Sequence, residues 1–108
     1  MPLFMVSFSF TTEAWQALVK NPQDRRETVA AACESVGCTL REYWYALGEH
    51  DGHVVFEAPD DEAAAAFALA AVAGGSLKAN RTTRLFTTSE LQDVLRAAGG
   101  ASYRAVGT

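Results

Sequence analysis

The sequence predicts an α+β domain of the ferredoxin-like type: a βαββαβ antiparallel sheet with its helices on one face, plus a C-terminal helix. Three observations predict it. Residues 3–10 and 53–58 alternate apolar and polar side chains, as strands do when one face is buried. Each is followed by a segment with helical spacing and a recognisable start. Residues 39–47 and 77–86 are rich in β-branched, aromatic and other strand-compatible residues and supply two more strands. The resulting order is the split βαβ arrangement. It puts strands one and three in the centre and strands two and four at the edges. Right-handed crossovers then place both main helices on one face.

In the first strand, Phe4, Val6, Phe8 and Phe10 share one face, and Leu3, Met5, Ser7 and Ser9 the other. Thr11 and Thr12 supply capping hydroxyls for a short helix through Lys20. Asn21-Pro22 predicts a second helix start, with Asn as N-cap, Pro at the first helical position and Asp24 near the positive end of the dipole. Val29, Ala32, Cys33 and Val36 recur at i, i+3, i+4 and i+7, one buried stripe. Gly37 ends that helix.

The second strand leads into a turn from Gly48 to Gly52. Asp51-Gly52 is its hairpin signal, and a positive φ is expected at Gly48 and Gly52. Val54, Phe56 and Ala58 share a face of the third strand. Pro59 stops it, and Asp60 caps a helix to about Ala73. Residues 63–73 carry no polar side chain, which predicts an extra contact on the outer side of that helix, from the C-terminal helix or another subunit. Gly74-Gly75 ends the helix, and the fourth strand comes next. Thr87-x-x-Glu90 is a capping box for the last helix, with Leu91, Val94, Leu95 and Ala98 as its stripe. Residues 1–100 read as a single domain and 101–108 as a flexible C-terminal tail.

The formal charge of −4 and a pI near 5.0 disfavour nucleic acid as a partner. Arg41, Arg81 and Arg84 are candidates for a local basic patch. No apolar run approaches the ~20 residues of a membrane span, so no membrane partner is expected. Met1-Pro2-Leu3-Phe4 has no basic region, and no signal peptide is expected. Cys33 and Cys38 lack a Cys-x-x-Cys spacing. A reduced, cytoplasmic protein is expected, with alanine and arginine usage suggesting a GC-rich bacterial genome. Cys33 falls on a buried stripe, and Cys38 is expected to be more exposed. A nucleophile motif, a phosphate loop and a dinucleotide fingerprint are all missing, and no cofactor is expected.

Gly48-Glu49-His50-Asp51, the strand after it, and Glu57-Ala58-Pro59-Asp60-Asp61-Glu62-Ala63 resemble the signature of the GYD-domain family. In that family a Gly-Glu-Tyr-Asp turn runs into a strand and a closely similar helix start. His50 stands where the family typically has tyrosine. Thr82, Thr83, Arg84 and Phe86 also look similar, and the resemblance runs from the first strand to about Leu95. It implies a small ferredoxin-like protein related to the dimeric α/β-barrel group, in which two sheets pack face to face and enclose a cavity. It supplies no agreed catalytic residues.

The sheet face away from the helices is expected to carry Met5, Ser7, Ser9, His53, Val55 and Glu57. The second strand adds either Arg41, Tyr43 and Tyr45 or Glu42 and Trp44. The first set is preferred because Leu40 and Ala46 suit the core. Such a mixed lining fits either a small-ligand pocket closed by a second subunit or a plain dimer interface. The candidate ligand-binding residues are Arg41, Tyr43, Tyr45, His53, Ser7 and Ser9, and the expected partner is a second copy of the chain in a homodimer or higher oligomer. A second reading is a cofactor-independent oxygenase or isomerase, with His53 as the candidate catalytic base, Tyr43 and Tyr45 as relay and wall, and Arg41 as anion clamp. A third is transition-metal binding by His50 and His53, which needs a further ligand such as Glu49, Glu57 or a residue of another subunit.

Overall fold

The computed structural model describes Met1–Thr108. Its elements run β1 (Leu3–Phe10), α1 (Thr12–Lys20), α2 (Arg26–Ser35), β2 (Thr39–Tyr45), β3 (Gly52–Glu57), α3 (Asp61–Ala73), β4 (Leu77–Leu85) and α4 (Thr88–Gly99). The strands form one sheet in the order β2-β3-β1-β4, antiparallel throughout. This is the ferredoxin-like layout, with β1 and β3 central.

The helices begin where side chains can satisfy their orphan N–H groups. Thr11 accepts from Ala14 N, and Asp60 from Ala63 N. Thr87 and Glu90 form a reciprocal capping box. The start expected at Asn21-Pro22 is corrected: Asn21 closes α1, its N–H donating to the Ala17 carbonyl at 2.9 Å. Pro22 disfavours a helical Asn21. Asp24 takes over further on, accepting from Arg26 N at 2.9 Å, and α2 begins there.

The core lies between the sheet and the helices. Phe4, Val6, Phe8 and Phe10 of β1 meet Val54 and Phe56 of β3, with Ala64 and Phe67 of α3 and Cys33 of α2 above them. Phe56 stacks near Phe4 and meets Phe67 edge-on, at 5.7 and 4.8 Å between centroids. Both cysteines are free and buried, Cys38 included, with its Sγ 3.6 Å from the Ala63 carbonyl. Burial, then the neighbouring Cys38 and Glu34, push the Cys33 thiol up to about 12, so it stays protonated and inert.

β2 departs from simple alternation. Leu40 pairs with Phe56, but Glu42 pairs with Val55, leaving Arg41 as the extra residue of a bulge. Beyond it every side chain changes face. Tyr43 pairs with Val54 and packs edge-on to Phe8 at 6.0 Å, on the helix side. Tyr45 comes two residues later, its hydroxyl 3.1 Å from that of Tyr43. Glu42 and Trp44 take the open face. The placement of Tyr43 and Tyr45 on the open face is therefore corrected; Leu40 does point to the core, but the bulge reverses the facing of residues 42–45.

The β2–β3 connection is a loop over residues 46–51, not a two-residue turn at Asp51-Gly52. Ala46 N donates to the Asp51 carbonyl at 2.8 Å, and Gly52 is already in β3, opposite Tyr45 and Phe8. Neither Gly48 nor Gly52 has a positive φ. Gly52 is required for a steric reason instead: a Cβ there would lie 2.4 Å from the Phe8 ring, whereas one on Gly48 meets nothing within 4 Å.

α4 does not cover α3. Leu91, Val94 and Leu95 are exposed, and so are Leu69 and Val72 on α3. The radius of gyration is 17.3 Å and the long axis 60 Å, against about 13 Å expected for a compact chain of this length. α4 thus projects from the body, linked at its base by the Arg84–Glu90 ion pair at 3.3 Å.

Gly52→Ala should cost about 1–3 kcal/mol, because the buried Phe8 ring has little room to yield. Gly48→Ala should stay within about 0.5 kcal/mol of the parent. Urea unfolding of the two variants checks this, and an unaltered Gly52→Ala midpoint would mean that the ring is mobile.

Candidate functional site

The open face carries one cross-strand row with chemistry in it. Trp44 of β2 pairs with His53 of β3, His53 with Ser7 of β1, and Ser7 with Arg81 of β4. Four side chains thus stand side by side across strands spaced ~4.8 Å apart. Ser7 and Ser9 are buried, at 4% and 5% exposure, because larger neighbours rise around them. Ser7 lies low between His53 and Arg81, with Ser9 beside it opposite Ala79. Trp44 forms the opposite wall and is 63% exposed.

Ser7 Oγ lies 2.8 Å from His53 Nδ1. This hydrogen bond fixes the ring and leaves Nε2 without a partner. The ring tautomer decides which atom donates. His50 packs near His53 with ring centroids 6.0 Å apart, and its buried Nδ1 makes no hydrogen bond. Asp51 is committed elsewhere: its Oδ2 accepts from Phe10 N at 2.9 Å and from Trp15 Nε1 at 3.1 Å. No group of three His, Cys, Asp or Glu side chains gathers at these histidines, so a metal there needs a donor from outside the chain.

Of the residues singled out from sequence, His53, Ser7 and Ser9 share this region. Arg41 does not reach it. It pairs with Glu57 at 2.9 Å, four residues along β3 from His53 and so roughly 13 Å away. Arg84 is engaged by Glu90 and lies 4.5 Å from the Phe86 ring centroid. Arg81 has no carboxylate partner, which makes it the available cation of the row. Trp44 and Arg81 are the members of the row that sequence reasoning does not select: the bulge hides the first, and alternation within β4 alone leaves the face of the second open. Alternation carried outward from Ser7 through a paired β4 is the signal that finds Arg81.

Residues 4–95 match the family model of the GYD domain. The chain belongs to the GYD-domain family. None of the curated proteins matches it. Among solved structures, this GYD domain is similar to 5-chloro-2-hydroxyhydroquinone dehydrochlorinase from Burkholderia phenoliruptrix AC1100, in complex with 2,5-dihydroxybenzoquinone. The two are 13% identical, with a TM-score of 0.55 over 81% of this chain and 96% of that one. At that identity the likeness concerns the fold alone. No helix of this GYD domain is long and apolar enough to cross a membrane.

The hydrogen bond from Arg41 holds the Glu57 carboxyl below its ordinary value of 4.5. A carboxylate with a depressed folded value contributes stability above its unfolded value and loses it as pH falls through the folded one. Urea titrations from neutrality into acid should therefore show stability falling below pH 4.5, with a shallower fall in Arg41→Gln; parallel curves would mean that the pair is solvated. Ser7→Ala should shift the His53 ring between its Nδ1-H and Nε2-H forms, read from imidazole nitrogen shifts. An unchanged tautomer ratio would dismiss Ser7 as the group that orients the ring.

Proposed function

We propose that this GYD domain binds a small planar molecule with an acidic group on its open sheet face, and that a second copy of the chain closes the site. The hydrogen-bonded His53–Ser7 pair, set between Trp44 and Arg81, is the observation that carries the reading. An indole offers a stacking wall. An unpaired guanidinium suits a carboxylate or an acidic hydroxyl. A neutral imidazole carries one donor and one acceptor nitrogen.

The case for a second copy is the apolar surface left in water. The open face carries Met5, Val55 and Trp44, while α4 and α3 expose Leu91, Val94, Leu95, Leu69 and Val72. Monomers rarely leave large apolar patches uncovered.

A cofactor-independent isomerase or oxygenase is the second reading. It is favoured by the unpartnered Nε2 of His53, held in place through Nδ1, as a proton-transferring group requires. The dehydrochlorinase of similar fold, observed with a dihydroxyquinone, makes small oxygenated rings the first class to try. The metal reading needs a donor supplied across the subunit contact.

Light scattering should show a dimer or a multiple of it at micromolar concentration; monomer alone would sink the assembly. In a Trp15→Phe background, which leaves Trp44 as the remaining indole of two, 2,5-dihydroxybenzoquinone should quench fluorescence saturably. His53→Ala and Arg81→Gln should each weaken that binding about tenfold, the effect of losing one charge-assisted hydrogen bond, with the oligomer intact. Should His53→Ala instead dissociate the oligomer and spare quenching, His53 is a contact residue and the reading fails.

A further inference from the structure

A separate cavity lies on the other side of the sheet, between α2 and α3. Its volume is about 230 Å³. Val6, Phe8 and Phe10 of β1 form its floor. It stays open because the facing helices present methyl groups, Ala32 on α2 and Ala71 on α3, and no side chain spans the gap. Arg25, Thr28, Tyr43 and Ser76 supply its polar groups. A smaller pocket of about 120 Å³ lies beside it and shares Phe10, Arg25 and Ser76. Arg25 therefore stands at the junction of two largely apolar spaces, and it is the one charged side chain in either lining.

Arg25 is half-buried and unpaired; the ion pairs of the chain use Arg41, Arg84 and Arg96. It is also the N-cap residue of α2 and provides no side-chain cap, so the positive end of that helix adds to its charge. Asp24, the nearest acid in sequence, accepts from the Arg26 N–H and makes no ion pair with Arg25. Burial, then its hydrogen bond to Tyr45, raises the Tyr43 phenol above the ordinary tyrosine value. It stays protonated and can donate. A half-buried cation outside any ion pair, above an apolar hollow, is complementary to an anion carrying an apolar body.

We propose that the α2–α3 cleft is a binding site for a small monocarboxylic acid. Its carboxylate would meet Arg25, and its apolar tail would lie on Val6, Phe8 and Phe10. At ~30 Å³ per water, the cavity holds the equivalent of about eight waters, which suits a tail on the order of ten non-hydrogen atoms. This site uses the face of β1 opposite Ser7 and shares no residue with the open-face row, so either can fail without the other.

The test is an amide NMR titration of the full chain with sodium octanoate, and with octan-1-ol as the uncharged probe. Octanoate should shift α2 and α3 amides saturably, with Kd below about 1 mM. Arg25→Gln should weaken octanoate about tenfold while leaving octan-1-ol unaffected. Ala71→Leu, which fills the cavity, should abolish binding of both probes while keeping a native spectrum, and His53→Ala should change neither. Arg25→Gln lies at the rim and keeps the test valid should Ala71→Leu not fold. The proposal is overturned by any of three results: no saturable shift up to about 10 mM, tenfold above the expected limit; equal octanoate affinity in Arg25→Gln; or loss of the oligomer in Ala71→Leu, which would show that a side chain of the second copy fills the cleft.

Discussion

Everything in this domain is referred to the pleat of β1. It is hydrogen-bonded along both edges, to β3 and to β4, so its register fixes both faces of the sheet at once. Its helix side is three phenylalanines and a valine. Each such side chain stabilises by about 1.5–3 kcal/mol when buried, so a one-residue slip is strongly opposed. The same register puts Ser7 and Ser9 on the other side. The pair of small side chains beside His53 is thus a by-product of what β1 must do for the core. The 46–51 loop obeys the strand too: Asp51 N donates to the Phe8 carbonyl, Asp51 Oδ2 accepts from Phe10 N, and Gly52 makes way for the Phe8 ring.

The features legible in the sequence are those encoded locally. The alternation of β1, the Asp60 cap after Pro59 and the capping box at Thr87 each lie within a few residues and depend on little else. The faces of β2 do not. Leu40 is correctly directed inward, and strict alternation then sends Tyr43 outward. Nothing in the sequence marks Arg41 as the extra residue. The bulge is a relation between two strands, visible only once Glu42 is found opposite Val55. That single residue exchanges Tyr43 for Trp44 at the candidate site and moves Tyr43 into the cleft lining. Asn21 and Gly52 show the same limit. Asn21-Pro22 and Asp51-Gly52 are sound local signals, but α2 starts only at Arg26, after a turn held by Asp24, and Phe8 sets the condition on Gly52.

The alanine-rich α3 connects the packing of the core to the shape of the cleft. Its sheet side needs little more than Ala64 and Phe67 to seal the core. Alanine elsewhere gives high helix propensity without bulk. Where that face meets α2, the lack of bulk leaves the cleft; where it meets solvent, Leu69 and Val72 interrupt the alanines and are exposed. The expected outer contact on α3 is therefore not made within the chain.

α4 shows the same unmet demand more sharply. A helix of 12 residues is marginal in water by itself. The capping box adds about 1 kcal/mol. The Arg84–Glu90 pair is half-buried and close to the surface, where ion pairs contribute modestly. These terms favour the helix without explaining why its apolar residues fall in one stripe. A stripe of Leu91, Val94 and Leu95 gains its main stabilisation by leaving water, and within the chain it does not do so. Selection for such spacing makes physical sense if the stripe is covered in the assembled protein, and α3 presents exposed leucine and valine of matching character. Sheet face, α3 and α4 are then three parts of one requirement, since each exposes apolar area that a second copy of the chain is able to bury.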